Sequence, residues 1–394
     1  MDRKKIAILS VYDVYNYGSI LQTYATQQVI KELGFDSIII RNDHRDKLSQ
    51  LKRCFNLPLL QMKMNFIIRD IYVKYLNKTL GEYFYSRREA FDRFIKTCLF
   101  ISPDWGDKIS IAAHIKDFNY ALVGSDQVWN PMNLGKDFYT MSFIPMGIKR
   151  VAYAPSFGVA SISERQKEKI KDYLLKIDCI SIRELSGQKI IKELIGKEVP
   201  VVADPTILMP FEKWEEFVSV HPYKKKPYIL CYFLGTIKSH REFANRLKRK
   251  TGIDIISLPH SDEICKWDFN FGDYTPLNVG PQEFVNLIAH ASYVCTDSFH
   301  ATVFSNLFSR QFFSFSRYAN DDNIASTNSR IPSLLSILGN EGRYVDSSID
   351  IADNLLDEIN FKCVKKKISE LRHTSREYLL KSLDCDGIVQ QGNL

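Results

Sequence analysis

Short apolar runs alternate with longer amphipathic stretches along the chain. Ile6 to Val11 is mostly apolar and reads as a buried strand. A turn, Tyr15-Asn16-Tyr17-Gly18-Ser19, leads into a helical stretch from Ile20 to Leu33. Leu21, Tyr24, Ala25, Val29 and Leu33 share one face of that helix, which Gln28 and Glu32 interrupt. Gly34 is a C-terminal stop, and Ser37 to Ile40 is the next strand. Strand, turn, helix, strand opens a parallel α/β unit.

The pattern continues with strands at Tyr120–Val123, Val151–Ala154, Ile180–Arg183 and Val201–Ala203. A helix from about Glu164 to Lys176 sets Ile170, Tyr173, Leu174 and, just beyond its end, Ile177 on one face, with Ser163 and Gln166 spaced as a capping box. A second series begins near Tyr228, with strands at Tyr228–Leu234, Ile253–Leu258, Tyr293–Cys295 and Phe312–Phe315. Its helices contain Arg241 to Lys250, Pro281 to His290 and Phe299 to Phe308. Residues 48–95 read as helical and basic, outside the alternation. The expected organisation is an α/β domain over 1–205 with a basic insertion at about 44–100, a second over 206–364, and a C-terminal helix and tail over 365–394. A cleft between the two domains follows.

The 394 residues are 45% hydrophobic and 25% charged, the balance of a globular chain able to bury a real core. No apolar run approaches the roughly 20 residues of a membrane span. The opening apolar run is too short for a signal peptide, so the eight scattered cysteines are expected as reduced thiols in a cytoplasmic protein. From His44 to Lys96 there are twelve Lys or Arg against five Asp or Glu, an excess matching the whole chain's net charge of +7. That block is either a solvated helical face or a surface drawn to nucleic acid, an anionic membrane or a charged lipid-linked substrate. No nucleic-acid motif and no metal-ligand spacing accompanies it, so neither a nucleic-acid partner nor a metal is expected.

Ligands of open α/β sheets bind beyond the carboxyl ends of strands, and four polar segments fall there. Asn16-Tyr17-Gly18-Ser19 is not a dinucleotide glycine motif. Gly124-Ser125-Asp126-Gln127-Val128-Trp129-Asn130 sets a carboxylate beside a hydroxyl and an aromatic plate, which suits sugar recognition or a base acting on a sugar hydroxyl. Arg183 ends a strand; it is either an anion ligand or a surface partner of Glu184. Asp297-Ser298-Phe299-His300 opens a helix, where Asp297 or Ser298 can cap and His300 can exchange protons.

Together with Tyr153-Ala154-Pro155-Ser156-Phe157-Gly158 and Asp204-Pro205-Thr206, these segments occur in an order that resembles the polysaccharide pyruvyl transferase family. The resemblance spans about residues 5 to 340. It implies a fold similar to GT-B glycosyltransferases, with two Rossmann-like domains facing a central cleft. It also implies transfer of the pyruvyl group of phosphoenolpyruvate to two hydroxyls of a sugar, as a cyclic ketal, in a surface polysaccharide or its lipid-linked precursor. Phosphoenolpyruvate is then a substrate, and no separate cofactor is expected. On this reading His300 is the acid–base residue, Arg183 holds the donor's anionic groups, and Asp126 orients or deprotonates the acceptor. Asn16, Gly18, Ser125 and Trp129 line the acceptor side, and Tyr17, Asp297 and Ser298 are further substrate-binding positions. A basic insertion would bring the enzyme to the inner face of an anionic membrane.

Some family members carry Asp-Arg-Leu-His where this chain has Asp297-Ser298-Phe299-His300. The charge of that arginine then falls to Arg317, to Arg330, or to the helix N-terminus at Phe299. Two other readings use the same cleft. One is a GT-B glycosyltransferase acting on a nucleotide sugar; the other is a glycan-binding module without catalysis.

Overall fold

A computed structural model describes residues 3–42, 64, 78–131, 137–218, 226–259, 265–268, 270–318 and 328–384. Most of the expected basic insertion lies outside these residues.

The first sheet is parallel, in the order β2-β1-β3-β4-β5: β1 (Lys5–Leu9), β2 (Asp36–Ile39), β3 (Tyr120–Val123), β4 (Lys149–Ala152) and β5 (Cys179–Ile180). The second is β7-β6-β8-β9, also parallel, from β6 (Tyr228–Tyr232), β7 (Asp254–Leu258), β8 (Tyr293–Thr296) and β9 (Gln311–Ser314). Each order reverses beside the first strand of its series. The switch points, where open α/β sheets take ligands, therefore lie between β1 and β3 and between β6 and β8.

Twelve α-helices with described bounds accompany the sheets. They are α1 (Tyr17–Glu32), α2 (Lys78–Cys98), α3 (Lys108–His114), α4 (Glu164–Leu174), α5 (Leu185–Ile195), α6 (Pro205–Leu208), α7 (Phe211–Glu215), α8 (Lys238–Thr251), α9 (Pro281–His290), α10 (Phe299–Leu307), α11 (Arg330–Leu338) and α12 (Phe361–Ser382). Helix α1 is buried on most sides, Gln22, Thr23, Thr26 and Gln27 included, because it sits between the two domains. Gln28 and Glu32, which break its apolar face, occupy its more open side. The chain leaves α1 through Gly34 at φ 86°, a backbone state that costs glycine little.

The domains share one continuous apolar core. Tyr17 at the start of α1 stacks on Phe284 of α9 (centroids 4.2 Å apart) and donates its hydroxyl to Val279 O at 2.8 Å. Helix α12 crosses back to the first domain, where Ala203 N donates to Ser375 Oγ at 2.8 Å and Tyr378 OH to Ala152 O at 3.2 Å. Burial of this kind favours a fixed arrangement over free domain motion.

Two local expectations are corrected. Residues 201–203 form no strand; Val201 makes a single bridge to Ile182. The Ser163 hydroxyl donates to Gln166 Oε1 at 2.6 Å and caps no backbone N–H, so the capping box does not close. The six cysteines among the described residues are free, and no helix there is long and apolar enough to cross a membrane.

Candidate active site

The carboxyl ends of the two sheets meet where α1 and α10 begin. Asn16 caps α1, its side chain accepting from Gly18 N (3.0 Å) and Ser19 N (3.2 Å). Ser298 caps α10, its hydroxyl accepting from Ala301 N at 3.4 Å. His300, in the first turn of α10, lies directly against Gly18: a Cβ on that glycine would sit 2.0 Å from His300 Nδ1.

On its other side His300 Nε2 is 3.5 Å from Asp204 Oδ2. Asp204 is the N-cap of α6, its Oδ1 taking Thr206 N (2.9 Å) and Thr206 Oγ1 (2.6 Å). Its Oδ2 also accepts from Arg183 Nη1 (2.6 Å) and Ser125 Oγ (2.8 Å). Arg183 lies over the ring of Phe299, 4.3 Å from its centroid, and keeps Nε and Nη2 buried without hydrogen-bond partners. This pair is fully desolvated, not the surface pair with Glu184 that the sequence left open; the side chains of Arg183 and Asp204 are 2% and 0% exposed.

Asp126 follows β3 in a left-handed backbone conformation, φ 75°, which is rare outside glycine. Its Oδ2 takes the Ser19 hydroxyl at 2.5 Å and its Oδ1 takes Gln127 N at 2.8 Å. The next side chain, Gln127, turns its oxygen to Arg330, which donates through Nη1 (2.9 Å) and Nη2 (3.0 Å). Arg330 opens α11 and is buried.

The charges interlock. Burial works to raise the Asp204 carboxyl, but His300 and Arg183 hold it well below the ordinary carboxylate range. Asp126 is likewise lowered: burial opposes this, while His300, Arg183 and the Ser19 bond favour the anion. Burial, with the like charges of Arg317 and Arg183, pushes the Arg330 guanidinium down to about 9. Guanidinium and imidazole groups thus converge on one spot with two carboxylates held ionised.

Of the residues expected at the site, His300, Arg183, Asp126, Ser125, Gly18 and Arg330 come together there. Asn16 serves as the cap of α1, and Arg317 stands close enough to act on Arg330. Four others are corrected. Trp129 is fully buried, packed on Phe157 and Tyr173, with its indole donating to Tyr139 O at 3.1 Å. It belongs to the first domain's core and cannot plate a sugar. Tyr17 is fully buried at the domain junction. Asp297 is taken up by the backbone, accepting from Leu234 N (2.6 Å) and Gly235 N (2.8 Å), and Ser298 by its cap. The sequence reading missed Asp204, Ser19 and Gln127 as site residues. For Asp204 a signal was available: Asp before Pro and Thr marks a helix cap, and the triplet stood in the ordered set of motifs. No group of residues able to hold a metal occurs among those described.

The chain's fold is similar to that of the UDP-GlcNAc 2-epimerase of Methanocaldococcus jannaschii, with TM-score 0.50 and 12% identity over 97% of this chain and 99% of that one. The Neisseria meningitidis UDP-GlcNAc 2-epimerase bound to UDP-GlcNAc gives TM-score 0.48 and 11% identity over 96% and 100%. The glycosyltransferase SnogD of Streptomyces nogalater gives 0.43 and 12% over 97% and 100%. The architecture is GT-B-like: two parallel α/β domains about a central site. No curated protein sequence matches the chain. The profile of the polysaccharide pyruvyl transferases matches residues 16–318, a stretch holding Asp126, Arg183, Asp204 and His300, and the chain belongs to the polysaccharide pyruvyl transferase family.

Proposed function

We propose that this transferase moves the pyruvyl group of phosphoenolpyruvate onto two hydroxyls of a sugar, forming a cyclic ketal. The observation that carries the reading is the meeting of His300, Asp204 and Arg183 at the start of α10, with Arg330 and Arg317 nearby. A donor bearing both carboxylate and phosphate needs several fixed cations, and buried guanidinium groups supply them in forked geometry. Arg183 offers Nη2 and Nε, which have no hydrogen-bond partner in the fold. Arg330 and Arg317 would take the place of the arginine that some family members carry at the position of Ser298.

In the reaction one acceptor hydroxyl adds to C2 of the donor while C3 gains a proton. The C2–O bond to phosphate then breaks, the second hydroxyl oxygen bonds C2, and its proton leaves with phosphate. No net proton is consumed. His300, oriented between Gly18 and Asp204, is the group that passes protons. Asp126, held ionised with both oxygens engaged, orients an acceptor hydroxyl as an acceptor of its hydrogen bond. Ser125 and Gly18 border the same space.

The acceptor is a polysaccharide unit or its lipid-linked precursor, and the basic insertion at about 44–100 would hold the enzyme to an anionic membrane surface. Incubation with phosphoenolpyruvate and candidate sugar diols, followed by phosphate release and product mass, tests the chemistry. A pyruvylated sugar formed by wild type and lost in His300→Ala is the expected result. Equal turnover in the variant would remove His300 from the chemistry.

A further inference from the structure

Glu184 follows Arg183 directly, is 1% exposed, and has no part in the steps above. Its two carboxylate oxygens are differently placed. Oε1 accepts from Ser156 Oγ (3.0 Å), Phe157 N (3.0 Å) and Gly158 N (3.4 Å). Oε2 is buried and has no hydrogen-bond partner. The charged groups acting on it are two guanidinium groups, Arg183 beside it in the chain and Arg330 from α11. The 156–158 turn brings only hydroxyl and amide donors.

A buried carboxylate with one bare oxygen is a costly anion, and those two cations are the charges that favour it. Burial already pushes the Glu184 carboxyl above its ordinary range. A phosphoenolpyruvate anion seated on Arg183 and Arg330 would engage the same two cations and add like charge close by. Both effects favour the neutral acid.

We infer that Glu184 takes up one proton on Oε2 when the anionic donor binds, and returns it to solvent when the anionic products leave. The inference rests on the donor reading above. The step is a protonation alone: carboxylate plus a solvent proton becomes carboxylic acid, and no bond of the donor is made or broken. It lets a buried site already holding Asp126 and Asp204 as anions admit a highly charged ligand. Donor affinity accordingly rises as pH falls.

Calorimetric titration of phosphoenolpyruvate into the full chain, in buffers of different ionisation heat, counts the protons taken up per donor bound. Wild type should take up more than Glu184→Gln, by as much as one proton, and its donor affinity should depend more steeply on pH. Glutamine keeps an oxygen for the 156–158 turn, and an unchanged unfolding temperature verifies that the variant is folded. Should the variant not fold, infrared difference spectra of wild type with and without donor read the protonated carboxyl band directly. Equal proton counts in the two proteins, or no such band, overturn the inference and leave the donor reading standing. Absence of any phosphoenolpyruvate binding overturns the donor reading, and this inference with it.

Discussion

His300 and Gly18 touch across the two domains, so that a methyl group on Gly18 would lie 2.0 Å from His300 Nδ1. The contact joins the first turns of α1 and α10, and the imidazole fits because residue 18 has no side chain. With Asp204 on its far side at 3.5 Å, the ring is held from two directions by the first domain while being carried by the second.

Gly18→Ala should therefore push His300 away from Asp204. Overpacking of a filled site costs about 1–3 kcal/mol, seen as a lowered unfolding temperature. Turnover should fall far more than this loss of stability explains, because a small misplacement of a reacting group can cost about a hundredfold. Pre-steady-state turnover measured well below the unfolding temperature separates the two effects.

Asp204→Asn leaves Arg183 buried without its counter-ion. Breaking a buried pair in this way costs about 3–5 kcal/mol. The sign with pH is set by the lowered carboxyl of Asp204. Its contribution is complete above the unfolded carboxyl's pKa of about 3.9 and is lost as pH falls through the lower folded value. The gap in unfolding temperature between wild type and variant should be steady from neutral to mildly acidic pH, then shrink below about pH 4.

Arg330→Met should weaken phosphoenolpyruvate binding roughly ten- to a hundredfold, since a charge-assisted hydrogen bond contributes about 1.5–3 kcal/mol. The Michaelis constant for the sugar should change little. An equal loss for both substrates would place Arg330 outside the donor's reach.

Trp129 is a core residue, so Trp129→Ala should lower stability by about 3–5 kcal/mol. Trp129→Phe, which keeps most of the packing, should leave the sugar's Michaelis constant unchanged. A large rise in that constant with normal stability would return the indole to the acceptor site.

The fold was largely legible because its signals are local. Strand Tyr120–Val123 and helix Pro281–His290 lie where apolar runs and a proline at the first helical position put them. The site was legible as a set of segments, since each follows a strand, but not as a set of directions. Trp129 and Asp126 stand three apart in one motif, yet one enters the core and the other faces Ser19. A left-handed turn at Asp126 separates them, and the alternation of apolar and polar positions does not mark it. Asp204 stood in the sequence only as part of an ordered motif before a proline; its bonds to Ser125 and Arg183, 79 and 21 residues away, appear only once the sheet is assembled.

If Arg183, Arg330 and His300 hold phosphoenolpyruvate as the donor, that ligand must stabilise the fold. Thermal unfolding with saturating phosphoenolpyruvate, compared with a panel of nucleotide sugars, reads this. At about 100 times its dissociation constant a bound ligand stabilises the fold by roughly 2.7 kcal/mol. Phosphoenolpyruvate should raise the unfolding temperature of wild type and do so much less in Arg330→Met. Stabilisation by a nucleotide sugar and none by phosphoenolpyruvate would contradict it.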